Sequence, residues 1–374
     1  MSGLSLLSPA PSSRGFFFVQ KLTFTYMRSM HVKSPFFVLV LSLPFYYSLY
    51  SCHPTSLPDT QLGNWVASAS IGDPPRANAS CFVIGTDAYV GLGFNQSIGN
   101  SGRLKDFWRF SVDSGWQQIA DFAGAPRSEA VAFSIGNYGY AGTGYDLLNV
   151  YSDFYQYDPG TNSWTKKADF PGTPRYDAVG FSVQGKGYVG TGFNVNWMND
   201  FYQYDPTQDK WSLTPGTSGN FSKRQGAVAF VYKDQAYIVT GNNSAGMVKD
   251  FWRFDPSQSP AWDQLANITN TDAGTFDDGY TDIEREYATA FVNGDQAFLT
   301  TGSNGSMVTS TWAYDFATDR WSRRSAWARP PRVGAVSFTV KGRSFVGTGG
   351  NGNSGTYDDF DEFQPLQAFD SNDY

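Results

Sequence analysis

Arg175-Tyr-Asp-Ala-Val-Gly-Phe-Ser-Val183, followed by Gly187-Tyr-Val-Gly-Thr-Gly192 and Asp200-Phe-Tyr-Gln-Tyr-Asp-Pro206, with Trp211 behind, makes one complete unit of this chain. The first two runs are short, β-prone and too apolar for a strand with one solvated face, which suits strands covered on both sides. Gly185-Lys186 between them is hairpin chemistry. At Asp205-Pro206 the carboxylate can cap a turn while proline presets φ. Trp211 then opens a fourth strand. The unit recurs in both directions, as Arg127-Ser-Glu-Ala-Val-Ala-Phe-Ser-Ile135 before it and Arg332-Val-Gly-Ala-Val-Ser-Phe-Thr-Val340 after it.

Two residue series fix the period. Trp65, Trp116, Trp164, Trp211, Trp262 and Trp321 are spaced by 51, 48, 47, 51 and 59 residues. Arg76, Arg127, Arg175, Arg224, Arg285 and Arg332 are spaced by 51, 48, 49, 61 and 47. A repeat near fifty residues, four strands per unit and no helical periodicity predict an all-β propeller. The units resemble the kelch family over residues 64–374: Arg near the start, glycines closing the second strand, an aromatic third strand and Trp opening the fourth. Three copies carry Gly-Thr-Gly where the family has adjacent glycines, and only Gly349-Gly350 supplies the doublet, so the resemblance is to bacterial kelch proteins. It implies a six-bladed ring of four-stranded blades. Trp65 precedes the first arginine, whereas the last repeat, from Arg332 through Phe363, lacks a Trp strand. The N-terminal segment is therefore expected to close the ring as the outer strand of the last blade, leaving no open edge. The repeated aromatics are expected to pack blade against blade.

Residues 1–51 are of another kind. Residues 1–26 precede Met27 and Met30 and look like a start placed too early. Arg28 to Lys33 and the apolar run from Ser34 form a basic start and a hydrophobic stretch, as in a secretory signal. Leu49-Tyr-Ser-Cys52 resembles a bacterial lipobox, which implies lipidation at Cys52 and an exported, periplasmic or cell-surface lipoprotein; secretion after ordinary cleavage is the alternative. Residues 52–63 read as a linker and 64–374 as one propeller domain. The segment 1–51 holds 4 of the 27 Lys/Arg and no Asp/Glu, so the remainder carries 23 basic against 34 acidic residues, a net of −11. That balance argues against nucleic acid and against adsorption to anionic lipid.

Both histidines, His31 and His53, lie at the N-terminus. The propeller therefore has no Ser-His-Asp or Cys-His triad and no imidazole ligands, so no metal or other cofactor is expected. The copper chemistry of galactose-oxidase-like propellers needs histidines and fails here. Gly142-Thr-Gly144 and its copies precede no helix and read as strand ends rather than phosphate loops. Asp272, Asp277, Asp278 and Asp282 lack the spacing of a calcium loop. Cys81 lies in a first strand and reads as a small hydrophobe without a disulfide partner.

Function falls to one face of the ring. The Trp-to-Arg distances are 11, 11, 11, 13, 23 and 11 residues, and the long one makes Asn267 to Glu284, with Asp277 and Asp278, the first candidate for a ligand-contacting insertion. The arginine series (Arg76, Arg127, Arg175, Arg224, Arg285, Arg332) would, by the kelch resemblance, stand near the channel mouth, where guanidinium groups could hold a carboxylate. The opposing reading, which the repetition favours, pairs each with an acid of the third strand: Asp106, Asp153, Asp200, Asp250 or Asp359. Two functional readings follow. The favoured one is a non-catalytic binding or scaffold propeller holding a protein or glycan at its loop face. The alternative is a sugar-modifying enzyme resembling periplasmic kelch sialic-acid epimerases, with Glu129, Asp177 or Glu286 as the acid or base.

Overall fold

A computed structural model of the chain describes residues 62–98, 102–214, 221–352 and 355–374. Residues 1–51, read above as a signal region, and Cys52 lie outside the described residues. Six four-stranded antiparallel sheets form a closed ring, and in blades 1 to 5 the strand order follows the sequence. In blade 3, Val179–Val183 pairs with Lys186–Gly190, which pairs with Phe201–Asp205, which pairs with Lys210–Leu213. The first strand of each blade is innermost, and together the six wall a central channel.

Aromatic rings fill the wedges between blades. Phe133 stacks on Tyr140 at 5.7 Å within blade 2, and Tyr204 of blade 3 meets Tyr140 edge-on at 5.6 Å. Trp211 stands edge-on to Phe154 at 5.1 Å. Its indole N–H donates to Ala168 O at 2.9 Å, and Trp164 and Trp116 do the same to Ala120 O and Ala69 O. These three tryptophans thus keep their polar edge satisfied, while the faces of such rings contribute about 0.5–1.5 kcal/mol per ring pair beyond area burial. The glycine that ends the second strand is dictated by backbone crowding. At Gly144 φ is +85°, and a Cβ there would sit 2.7 Å from Ser128 O.

The ring closes as the sequence leads one to expect, with the strand starting at Leu62 rather than at residue 64. Leu62–Ser68 lies antiparallel to Phe360–Ala368, opposing Trp65 to Phe363, and forms the outer strand of blade 6. Trp65 is fully buried between Phe363 at 4.5 Å and Trp327 at 4.7 Å. The backbone of the preceding blade joins in, Ser325 N donating to Leu62 O at 2.9 Å. Truncating Trp65 to alanine is expected to cost about 3–5 kcal/mol and to lower the melting temperature by several degrees. Deleting 62–72 should cost more than that single truncation. A melting curve unchanged by the deletion would show that the clasp does not hold the ring.

Candidate functional site

Each blade enters its inner strand through an arginine whose side chain is fully buried. Nη1 donates to the carbonyl of the residue sixteen positions on: Leu92, Thr143, Thr191, Thr240, Thr301 and Thr348, at 2.9–3.3 Å. In five blades the guanidinium also pairs with the third-strand aspartate, as in Arg76–Asp106 at 2.6 Å, Arg127–Asp153, Arg175–Asp200, Arg224–Asp250 and Arg332–Asp359. The arginine's own carbonyl accepts the N–H of the strand-ending glycine one blade back, from Gly93→Arg127 round to Gly349→Arg76. The six arginines are thus enclosed frame members, and none offers its fork to a ligand. The geometry is that of the pairing alternative.

The insertion is likewise part of the frame. Blade 5 has Ser310 where the others carry aspartate, and Arg285 Nη2 donates to its hydroxyl at 2.7 Å. Asp282, from the insertion, stands in for the missing acid. It accepts from Trp312 Nε1 at 2.8 Å, as Asp106 does from Trp108 and Asp250 from Trp252, and it lies 3.7 Å from Arg285 and 3.0 Å from Arg323. Ile268, Tyr280 and Ile283 anchor the insertion in the core between blades 4 and 5. Asp277 accepts from Thr271 N and from the hydroxyls of Thr271 and Thr275, and Asp278 accepts from Gly274 N and Asn270. Both acids, expected as ligand contacts, hold the loop's own turns.

The residues two beyond each arginine break the repetition. Asn78, Glu129, Asp177, Gly226, Tyr287 and Gly334 all have φ between +52° and +63°. Each donates its backbone N–H to the carbonyl of its counterpart one blade back, at 2.9–3.3 Å, so that the six bonds close on themselves around the channel mouth. For a side chain larger than glycine that conformation costs on the order of 1 kcal/mol or more. Two positions take glycine; four keep a polar side chain regardless. The glycines also make room, since a Cβ on Gly226 would press on the Tyr287 ring at 3.1 Å and one on Gly334 would meet Asn78 N at 2.8 Å.

The four side chains form a hydrogen-bonded relay over a cavity of about 140 Å³. Gln225 Nε2 donates to Tyr287 Oη at 3.1 Å, and the Tyr287 hydroxyl donates to Asp177 Oδ2 at 3.1 Å. Asp177 and Glu129 hydrogen-bond to each other, and Asn78 Nδ2 donates to Glu129 Oε1 at 2.7 Å. Burial pushes Glu129 up to about 7, against the pull of the Arg103 guanidinium and its hydrogen bonds from Asp177 and Asn78. Burial and then the Glu129 charge hold Asp177 well above the usual carboxylate range. At neutral pH the pair therefore retains a proton, with Glu129, nearer the cation, the first to ionise. Arg103 is held between the rings of Phe94 and Tyr145, 4.6 and 4.7 Å from their centroids. Glu286, raised by burial, accepts from Asn242 Nδ2 at the same mouth and adds to the field on Asp177.

Of the residues singled out from sequence, the mouth brings together Glu129, Asp177 and Glu286. Arg103, Tyr287, Asn78 and Gln225 were not foreseen. The signal for two of them, Asn78 and Tyr287, was present, because position two after each arginine varies while the Arg and the Ala that follows it at position three are fixed. Cys81 lies half-buried on the channel wall, and burial pushes its thiol up to about 12.

No family profile matches the chain. Over 105 residues, 24% of this chain and 26% of the relative, it is 35% identical to the N-acetylneuraminate epimerase of Yersinia enterocolitica. Over 57 residues, 15% of this chain and 14% of the relative, it is 49% identical to the N-acetylneuraminate epimerase of Vibrio cholerae. The aligned stretches span about a quarter or less of those relatives. The solved structure of YjhT matches with a TM-score of 0.64 at 18% identity, over 77% of this chain and 94% of that one, which is a likeness of fold.

Two outcomes follow from this geometry. Arg224→Ala leaves the Asp250 carboxylate buried without its partner and should destabilise the fold by about 3–5 kcal/mol, seen in chemical denaturation with no ligand present. A loss under 1 kcal/mol would remove the arginine from the frame. The raised carboxyls also set a pH dependence. A group raised on folding stabilises fully below its unfolded pKa, and that contribution is lost as pH climbs through the folded value. Between about 4.5 and 7 the wild type should therefore lose stability by up to about 1.4 kcal/mol per pH unit for the Glu129 proton. Glu129→Gln should flatten the slope; an equal slope in both proteins would count against the shared proton.

Proposed function

We propose that this chain is a sugar epimerase working at the propeller mouth, with N-acetylneuraminate the substrate suggested by the relatives. The observation that carries the reading is the proton-sharing pair Glu129–Asp177 beside the Arg103 guanidinium. Of the two functional readings drawn from sequence, the comparisons lend support to the enzyme and none to a non-catalytic scaffold.

The chemistry is general acid–base catalysis at the anomeric carbon. Ionised Glu129 takes the proton of the anomeric hydroxyl. Protonated Asp177 gives its proton to the ring oxygen as the bond between that oxygen and the anomeric carbon breaks. The open-chain ketone rotates, and the ring hydroxyl closes on the other face of the carbonyl; both protons return and the enzyme is unchanged. Tyr287 and Gln225 keep Asp177 aimed by the hydrogen bond at its outer oxygen, and Asn78 does the same for Glu129. Arg103, its guanidinium braced by two rings, pairs with the sugar carboxylate and offsets the negative field of three acids. An exported chain anchored at Cys52 would meet such sugars outside the cytoplasm.

Anomer exchange of N-acetylneuraminate followed by NMR tests the reading. The catalysed rate should rise as pH passes about 7, where Glu129 ionises, and fall again once Asp177, raised by burial and by the Glu129 charge, loses its proton. Glu129→Gln and Asp177→Asn should each cost about 10²–10⁴-fold, while Tyr287→Phe costs less. Full turnover in both carboxylate variants would eliminate the pair as acid and base.

A further inference from the structure

A second cavity opens on the same face. It has a volume of about 490 Å³ and lies between two short hairpins, Phe193–Asn194 with Asn196–Trp197 in blade 3 and Asn242–Asn243 with Gly246–Met247 in blade 4. Among the described residues only these two blades carry such hairpins. Asn243 Nδ2 donates to Lys223 O at 2.9 Å and ties the linker between blades 3 and 4 against the second hairpin. The Lys223 side chain is exposed. The Trp197 indole is half-buried, and its N–H is enclosed without a hydrogen-bond partner. An aromatic face, an unmet N–H and a cation in one cavity are the elements that bind a pyranose bearing an acid: the ring's C–H face stacks, its hydroxyls take the N–H, and its carboxylate meets the ammonium.

This cavity is joined to the acid pair by aromatic contacts. Tyr145, which braces Arg103, stacks on Tyr176 at 4.4 Å; Tyr176 meets Phe193 at 5.7 Å, and Phe193 meets Trp197 at 5.1 Å. Cations thus stand at both ends of one aromatic wall in an otherwise acidic mouth.

We propose that the Trp197–Lys223 cavity is a second sugar subsite, so that the mouth takes an acidic glycan of at least two residues. The reducing-end residue lies over Glu129 and Asp177 with its carboxylate on Arg103. The next residue stacks on Trp197 with its carboxylate on Lys223. The inference rests on the sugar reading of the mouth and is independent of the proton transfers.

Calorimetric titration of the propeller with N-acetylneuraminate and with its α2,8-linked dimer tests it. The dimer should bind about tenfold more tightly than the monomer. Trp197→Ala should abolish that preference while leaving monomer affinity and monomer anomer exchange intact, and Trp197→Phe should keep most of it. Lys223→Gln should flatten the salt dependence of dimer binding. Equal affinities for monomer and dimer in the wild type, or a Trp197→Ala protein that retains the preference, would overturn the subsite. The two readings fail separately, since loss of exchange in Glu129→Gln reports on the acid pair and the dimer-to-monomer ratio reports on Trp197.

Discussion

The buried guanidinium at the head of each blade is the constraint from which the rest follows. It reaches the end of the second strand through Nη1 and, in five blades, the start of the third through its ion pair. Its carbonyl receives the glycine N–H of the neighbouring blade. One residue therefore fixes three chain segments within a blade and couples the blade to the one before it. Removing the aspartate would strand a fully enclosed guanidinium, so the pair is retained by the cost of breaking it more than by any net gain in making it. Blade 5 shows how strongly that partner is needed. With Ser310 in the acid's place, the insertion brings in Asp282 to accept from Trp312 and approach Arg285.

That case also marks where sequence reasoning met its limit. The period, the strand order, the clasp at Trp65 and the Arg–Asp pairings were all legible, because packing repeats and repetition can be counted along a chain. The insertion was not, since its length resembles that of a binding loop whether it serves a ligand or a missing aspartate. What separates the two is which way Ile268, Tyr280, Ile283 and Asp282 turn, and that is set by a neighbouring blade far away in the sequence. Arg103 escaped notice for a similar reason. It has no counterpart in the repeat, and only the packing of blade 1 against blade 2 brings its charge to Glu129.

The mouth is assembled from groups that destabilise it. Four side chains larger than glycine hold positive φ in the ring, and two carboxyls share one cavity with a third, Glu286, at the same mouth, all with their pKa values raised. Such arrangements persist only where the surroundings over-determine them. The closed circle of six backbone hydrogen bonds does this at the mouth, and the arginine frame does it beneath. Strain and repulsion at the mouth are offset by a scaffold whose own terms, aromatic packing and buried pairs, repeat sixfold.

The same division explains how chemistry can vary on a constant fold. Because the backbone two residues past each arginine is nearly identical in all six blades, an acid, an amide, a phenol and a glycine all make the same ring bond there. Glycine relieves the conformational cost; any other residue adds a functional group aimed at the axis. One pattern of backbone bonds thus carries several kinds of side chain at the mouth, with glycine where a neighbour's side chain needs the room. Positions that repeat report on folding, whereas the column that refuses to repeat, Asn78, Glu129, Asp177, Gly226, Tyr287 and Gly334, reports on what the propeller handles. It is the departure from symmetry, bounded on both sides by invariance, that locates the chemistry.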